Sequence, residues 1–495
     1  MNYARKVARG TGVIFSFSII ALFFGYLLRL LLARNLAIEE YGLFYAVFAL
    51  FTFLVVFRDL GLTRSLIKFI PEFKVKRRYD LIKNSIVSIF SFQFVVSSLV
   101  TLIIVVLSDF LAINYFHNPN ASLVIKLLAI SFWLKPFILI CGGIFQGFQK
   151  MGHYASIDLA RSILVFVISF IGFKISKGVV IPSIAYLLTS VLLLLIFVPI
   201  LSKIAFVWLP KGKFAIDKEL IKRLFSFGIF SMAGDINWSI IGYIDIFILT
   251  YFSGLEQVGL YNASLPTAAL LSYFGLALAT VILPITSELW AKKGKKQLIY
   301  GVNKLYKYSF ALIIPFALIM FCFPELILGL LFGKSYTLAS NSLKILSLAF
   351  IMITISRINF NVLLGIGRPK TNLKIAAITA FSNISLNILL IAVFGLGIIG
   401  ASISAFLTAF IMFSLSLINL REFVSIKIPL RDWFKIACNG GIFVSAILLL
   451  KELLILNPYI EAILVIGIAG LVYCGLLFVF RIVSIGEIKN LLKSI

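Results

Sequence analysis

What most restricts this chain is a series of apolar runs, each about 20 residues long, that recurs from one end to the other. A bilayer core about 30 Å thick is crossed by roughly 20 apolar residues in a helix. In lipid the backbone must satisfy its own hydrogen bonds, which leaves helices or a closed barrel. Barrel strands read as roughly 10-residue segments of alternating polarity, and a run such as 180–202, VIPSIAYLLTSVLLLLIFVPILS, does not alternate. Composition agrees: over 495 residues the chain is 61% hydrophobic and 13% charged, where a soluble domain carries about 25% charged residues. The expectation is an all-α membrane protein.

The runs place about fourteen transmembrane helices. Six lie at 11–34, 42–64, 82–107, 122–146, 156–175 and 180–202, and six more at 225–251, 259–287, 304–323, 338–364, 372–394 and 398–420. The last two lie at 433–451 and 460–480. The first run carries Arg29 and has no short apolar core before a small-residue cleavage site, unlike a signal peptide. Lys and Arg collect in cytoplasmic loops. With the N-terminus inside, alternate loops and both ends hold 33 cations, against 5 in the outer loops. That asymmetry predicts a multi-pass protein of the cell membrane with both termini cytoplasmic. It also accounts for the net charge of +26, since basic loops between spans face anionic lipid and do not form a nucleic-acid surface. Cys141, Cys322, Cys438 and Cys474 are scattered, and His117 and His153 fall in loops on opposite sides. Neither set has metal-ligand or disulfide spacing, so no metal and no cofactor is expected.

The chain repeats itself. Gly42 in Glu40-Tyr41-Gly42-Leu43 matches Gly259 in Gln257-Val258-Gly259-Leu260, 217 residues later. Gly147 after the fourth span matches Gly365 after the tenth at 218, and Gly178 before the sixth matches Gly397 before the twelfth at 219. Pro71 and Pro284 are rough counterparts at 213. Six spans separate equivalents, so the repeat is parallel, and transporters of this build place substrate between halves that rock. The expected organisation is an N-lobe at 1–210, a C-lobe at 211–425, and two further helices with a cytoplasmic tail at 426–495.

With six plus six plus two spans, the chain resembles the polysaccharide-export flippases of the multidrug/oligosaccharidyl-lipid/polysaccharide superfamily. The local features are Glu40-Tyr41-Gly42, Asp59-Leu60-Gly61-Leu62 running to Phe69-Ile70-Pro71-Glu72-Phe73, and Pro324-Glu325-Leu326 to Phe332-Gly333-Lys334-Ser335-Tyr336. The resemblance implies flipping of a lipid-linked oligosaccharide from the cytoplasmic to the outer leaflet. Its partners would be that glycan, membrane lipids, and a polysaccharide polymerase or glycosyltransferases.

An ion at mid-membrane costs about 2.5–3.5 kcal/mol on insertion scales and usually has a use. Deep or nearly deep are Arg29, Arg58, Asp59, Lys135, Asp235, Asp245 and Arg357. Arg29, Arg58, Lys135 and Arg357 are candidates for binding an anionic pyrophosphate. Asn361, one turn from Arg357 on the face that also carries Thr354, is a candidate for sugar hydroxyls. Thr379, Asn383 and Asn387 repeat that pattern, and all these amides and hydroxyls could equally be interhelical hydrogen bonds. Asp59, Asp235, Asn237 and Asp245 are candidates for coupling to H⁺ or Na⁺; pairing with Arg29 or Arg58 is the structural alternative. Arg58 and Asp59 point about 100° apart on a helix and do not satisfy only each other. Lys126 and Lys344 lie close enough to the outer face to snorkel. Two other functions stay open: a cation-coupled multidrug or toxic-compound extruder of the same superfamily, which calls for an acidic and aromatic site, and a membrane-embedded glycosyltransferase or ligase, which calls for an acidic site near a long outer loop.

Overall fold

A computed structural model describes residues 3–205, 217–424, 430–453, 458–480 and 482. Side chains at 3–11, 204–205, 230, 233–238, 274–281, 284, 430 and 458–459 are outside the description. The described chain is helical, with no strand.

Two compact units divide it at Gly259 and Leu260. The first holds α1 (Tyr3–Asn35), α2 (Ile38–Asp59), α3 (Leu62–Val75), α4 (Tyr79–Val106), α5 (Ser108–Asn114) and α6 (Ala121–Gly147). It continues with α7 (Met151–Ile175), α8 (Val180–Ala205), α9 (Lys218–Phe252) and the first turn of α10 (Leu255–Ala269). The second holds the rest of α10, then α11 (Leu271–Ala291), α12 (Lys295–Cys322), α13 (Pro324–Leu331), α14 (Ser340–Gly365) and α15 (Pro369–Asn387). A π-helical turn over Ile388–Val393 leads to α16 (Gly397–Val424), α17 (Leu430–Leu453) and α18 (Pro458–Val479). The division falls later than the lobe boundary expected at 210 because α9 packs along α2 and α3. Its Leu220 and Leu224 join the apolar cluster of Leu62, Leu66, Phe69 and Phe73.

Twelve helices among the described residues are long and apolar enough to cross a membrane. The two further spans expected at 225–251 and 259–287 fall on α9, α10 and α11, whose side chains are only partly described. In each unit the helix before a repeat-matched glycine forms the hub: α6 packs on α3, α4 and α8, and α14 packs on α11, α12 and α16.

The repeat is visible in each unit separately. A Cβ on Gly147 would come within 2.9 Å of Ile70 Cβ, and one on Gly365 within 2.7 Å of Thr286 Cβ. The turns that follow are the same turn. Lys150 N–H donates to the Phe145 carbonyl and Arg368 N–H to Leu363, both at 2.8 Å, over left-handed residues Gln149 and Gly367. The turns at Arg77 and Lys293 also match, each left-handed at φ 55° and each preceded by a Glu–Lys pair, Glu72–Lys76 and Glu288–Lys292. Their offset of 216 makes Ser287 the counterpart of Pro71 and corrects the Pro71–Pro284 match.

Span two is not one helix. α2 stops at Asp59 and α3 starts at Leu62, joined by Leu60 at φ 47° and Gly61 at φ 68°. Gly61 is needed twice over. Its φ suits glycine, and a Cβ there would sit 2.2 Å from the Gly228 carbonyl oxygen of α9. The break leaves Arg58 and Asp59 in the last turn of α2, a helix of 22 residues.

Candidate functional site

A cationic recess lies inside the first unit. Arg29, near the C-terminal end of α1, stacks its guanidinium over the Tyr45 ring of α2 at 4.4 Å. Tyr41 of α2 and Tyr186 of α8 lie within its electrostatic reach. Its Nη1 is buried with no hydrogen-bond partner among the described residues. Next along the recess, Arg161 of α7 pairs with Asp158 at 2.6 Å. Both side chains stay open to solvent, 41% and 60% exposed, although Arg161 also feels Tyr186. Lys135 of α6 is half-buried and senses Arg161, Arg58 and Asp158, and among the described residues it forms no ion pair. Tyr186 senses both Arg29 and Arg161, and Asp158 senses both Arg161 and Lys135, so the charges of α1, α6 and α7 gather in one cluster.

Arg161 and Asp158 are the residues that sequence reasoning missed. A fifth span starting at 156 puts Arg161 at the cytoplasmic surface, but α7 begins at Met151, which carries Arg161 about 15 Å up its axis. The available signal was opposite charges at i and i+3 in an otherwise apolar stretch, a pairing that sits on one helix face.

Arg58 is 2% exposed. Its Nη1 donates to the Phe132 carbonyl at 2.6 Å, its plane lies over the Phe132 ring at 4.2 Å, and its Nε and Nη2 are buried with no partner among the described residues. Asp59 points elsewhere, accepting from Thr63 Oγ1 at 2.6 Å and Gln93 Nε2 at 2.7 Å. Asp245 on α9 is buried at 5% exposure and is engaged by neighbours. The side chains of Asp235 and Asn237 lie outside the described residues.

In the second unit Arg357 is half-buried near Tyr273. Asn361 Nδ2 donates to the Arg357 carbonyl at 2.8 Å, and Thr354 Oγ1 to Phe350 at 2.7 Å. Thr379 and Asn387 likewise donate to backbone carbonyls one turn back, and Asn383 offers its carbonyl to Ser404. The side chains of Asn361, Thr354, Thr379 and Asn387 thus bond to helix backbone. A neighbouring network, Tyr306 hydroxyl to Asn359 and Asn359 Nδ2 to Ser416 at 2.9 Å, ties α12, α14 and α16 together.

Outside the spans, Asp109 of α5 accepts from the Ser122 hydroxyl and from Lys126 Nζ at 3.2 Å, which holds its carboxyl below the usual carboxylate range. Lys126, near the start of α6, thus finds its counter-ion on α5. Among the described residues no group of three or more His, Cys, Asp or Glu is placed to hold a metal.

The family model described as "Polysaccharide biosynthesis protein" matches residues 7–290, and one described as "MatE" matches 231–389. An uncharacterized membrane protein of Methanocaldococcus jannaschii is 34% identical over all of this chain and 99% of its own length. The "Probable low-salt glycan biosynthesis flippase" of Haloferax volcanii is 25% identical over 94% of each chain. Among solved structures, a lipid II flippase in an inward closed conformation superposes with a TM-score of 0.74 at 20% identity, covering 94% of this chain and 99% of its own. A helical fold with twelve candidate membrane spans among the described residues, a cluster of charged side chains in its first unit and a profile match over more than half of the chain lead to one assignment: this multi-pass membrane protein belongs to the polysaccharide biosynthesis protein family, in the multidrug/oligosaccharidyl-lipid/polysaccharide flippase superfamily.

Proposed function

We propose that this chain flips a lipid-linked oligosaccharide, on a polyprenyl phosphate or pyrophosphate, from the cytoplasmic to the outer leaflet by alternating access, for cell-surface polysaccharide or glycan assembly. The observation that carries the reading is the recess of the first unit, where Arg29, Lys135 and Arg161 meet the single described carboxylate Asp158 among tyrosines. An oxyanion crossing a low-dielectric layer is stabilised by fixed cations and hydroxyl donors, and tyrosines offer both a hydroxyl and a face for a sugar ring. In the second unit, Arg357 binds the phosphate and Asn361 a sugar hydroxyl during the passage. Asp59, Asp235, Asn237 and Asp245 couple flipping to H⁺ or Na⁺. Both termini face the cytoplasm, and a polymerase or glycosyltransferases act on the same glycan before or after it crosses.

The test is reconstitution. The full chain is placed in liposomes with a fluorescent polyprenyl-pyrophosphate oligosaccharide, and wild type is compared with Lys135→Ala and Arg161→Ala. Protein-dependent flipping that folded variants lose supports the reading. Export of organic cations with no flipping of any such lipid refutes it and favours a drug extruder, the second reading suggested by the MatE match over 231–389. A glycosyltransferase reading predicts sugar transfer in the same vesicles.

A further inference from the structure

A proline inside a helix has no N–H for the carbonyl four residues before it and pushes that carbonyl aside. In a membrane the orphaned oxygen needs another donor. Two such oxygens here are each met by one long-range side chain. Pro315 in α12 frees the Ala311 carbonyl, and the buried Tyr473 hydroxyl of α18 donates to it at 3.0 Å. Pro136 in α6 frees the Phe132 carbonyl, and Arg58 Nη1 of α2 donates to it at 2.6 Å across 74 residues of sequence.

We propose that Arg58 is a positioning residue: its guanidinium replaces the amide that Pro136 lacks, fastens the end of α2 to the bend in α6, and so sets Lys135 in the recess. The proposal rests on the reading of that recess as the headgroup site. Three observations converge on it. The carbonyl that Arg58 meets is the one that Pro136 orphans. The guanidinium plane also covers the ring of the same residue, Phe132, at 4.2 Å, so two contacts hold one point of α6. On the other side of the same turn of α2, Asp59 is held by Thr63 of α3 and Gln93 of α4, which makes that turn a fixed anchor. Lysine could not do the same, because an ammonium has no planar face for the ring and reaches as a point charge. Arg58 is 2% exposed, whereas Lys135, next to the proline, is half-buried and faces Arg161 and Asp158. The rival role is a substrate oxyanion on the Nε–Nη2 edge, whose two donors are buried with no partner among the described residues.

A double-mutant cycle separates the roles. R58M, P136A and R58M/P136A are made in the full chain, and each is read by thermal midpoint in detergent and by flipping of the fluorescent polyprenyl-pyrophosphate oligosaccharide. Alanine at 136 returns the missing N–H, so Arg58 should become dispensable. We expect R58M to lower the midpoint and slow flipping about tenfold, and the double variant to recover to within about twofold of P136A. R58K should behave as R58M, and takes its place in the cycle if R58M is not recovered folded. Recovery of the midpoint without recovery of flipping would show Arg58 touching the substrate and overturn the proposal. So would a loss that P136A leaves unchanged in both readouts. If the wild type flips no such lipid, the headgroup reading fails, and the midpoints alone still decide whether Arg58 and Pro136 are coupled.

Discussion

Replacing Gly42 by alanine tests the helix crossing that the repeat produces. Gly42 of α2 lies against the Leu255 carbonyl of α10, and Gly259 of α10 lies against the Ile38 carbonyl of α2. Each glycine thus faces the carbonyl four residues before the other. A Cβ on Gly42 would sit 1.9 Å from the Leu255 oxygen, whereas carbon–oxygen contacts settle near about 3.3 Å. The two backbones would have to separate by about 1.4 Å, and no side-chain rotation relieves it. Overpacking costs about 1–3 kcal/mol even where side chains can shift. A backbone clash belongs at the upper end of that range, and alanine returns up to about 1 kcal/mol of helix propensity, which leaves a net loss of about 2 kcal/mol. Gly242 of α9 is the control, since a Cβ there meets nothing within 4 Å. Its alanine variant should be neutral or stabilised by up to about 1 kcal/mol. Denaturation of the full chain in mixed micelles, followed by tryptophan fluorescence, would measure both. G259A should match G42A, and the double variant should cost less than the sum because one separation relieves both clashes. A G42A protein as stable as G242A would refute the crossing.

Tyr473→Phe should destabilise the second unit by about 1–2 kcal/mol, because it leaves the Ala311 carbonyl buried and unpaired; adding Pro315→Ala should recover most of that in the same denaturation assay. Asp158→Asn should leave Arg161 without its counter-ion and change flipping more than folding, and Asn361→Ala should slow flipping less than Lys135→Ala does, because its amide also bonds to its own helix; the vesicle assay decides both. Asp109 is held below its ordinary pKa, so its contribution is present above about pH 4, the unfolded value, and is lost as pH falls through the lower folded one. Ser122→Ala should therefore lower the thermal midpoint at neutral pH and make no difference at strongly acid pH.

The all-helical membrane class, and repeated turns such as those after Gly147 and Gly365, were legible in the sequence by itself. The physical reason is that a bilayer imposes one length on every apolar run, and that repeated turns reuse the same residues, as at Gly147 and Gly365. Only the tertiary structure decided what the deep charges do. Nothing local distinguishes Arg58 from Lys135, yet one is sealed against the Phe132 carbonyl and the other is open to Arg161 and Asp158. Sequence shows that Pro136 orphans a carbonyl, but the donor that answers it comes from a helix 74 residues away. The break in span two depends in the same way on α9, whose Gly228 carbonyl leaves room at position 61 for no side chain at all. The depth of Arg161 was set by where α7 begins, a boundary that hydropathy blurs and that helix packing fixes at Met151.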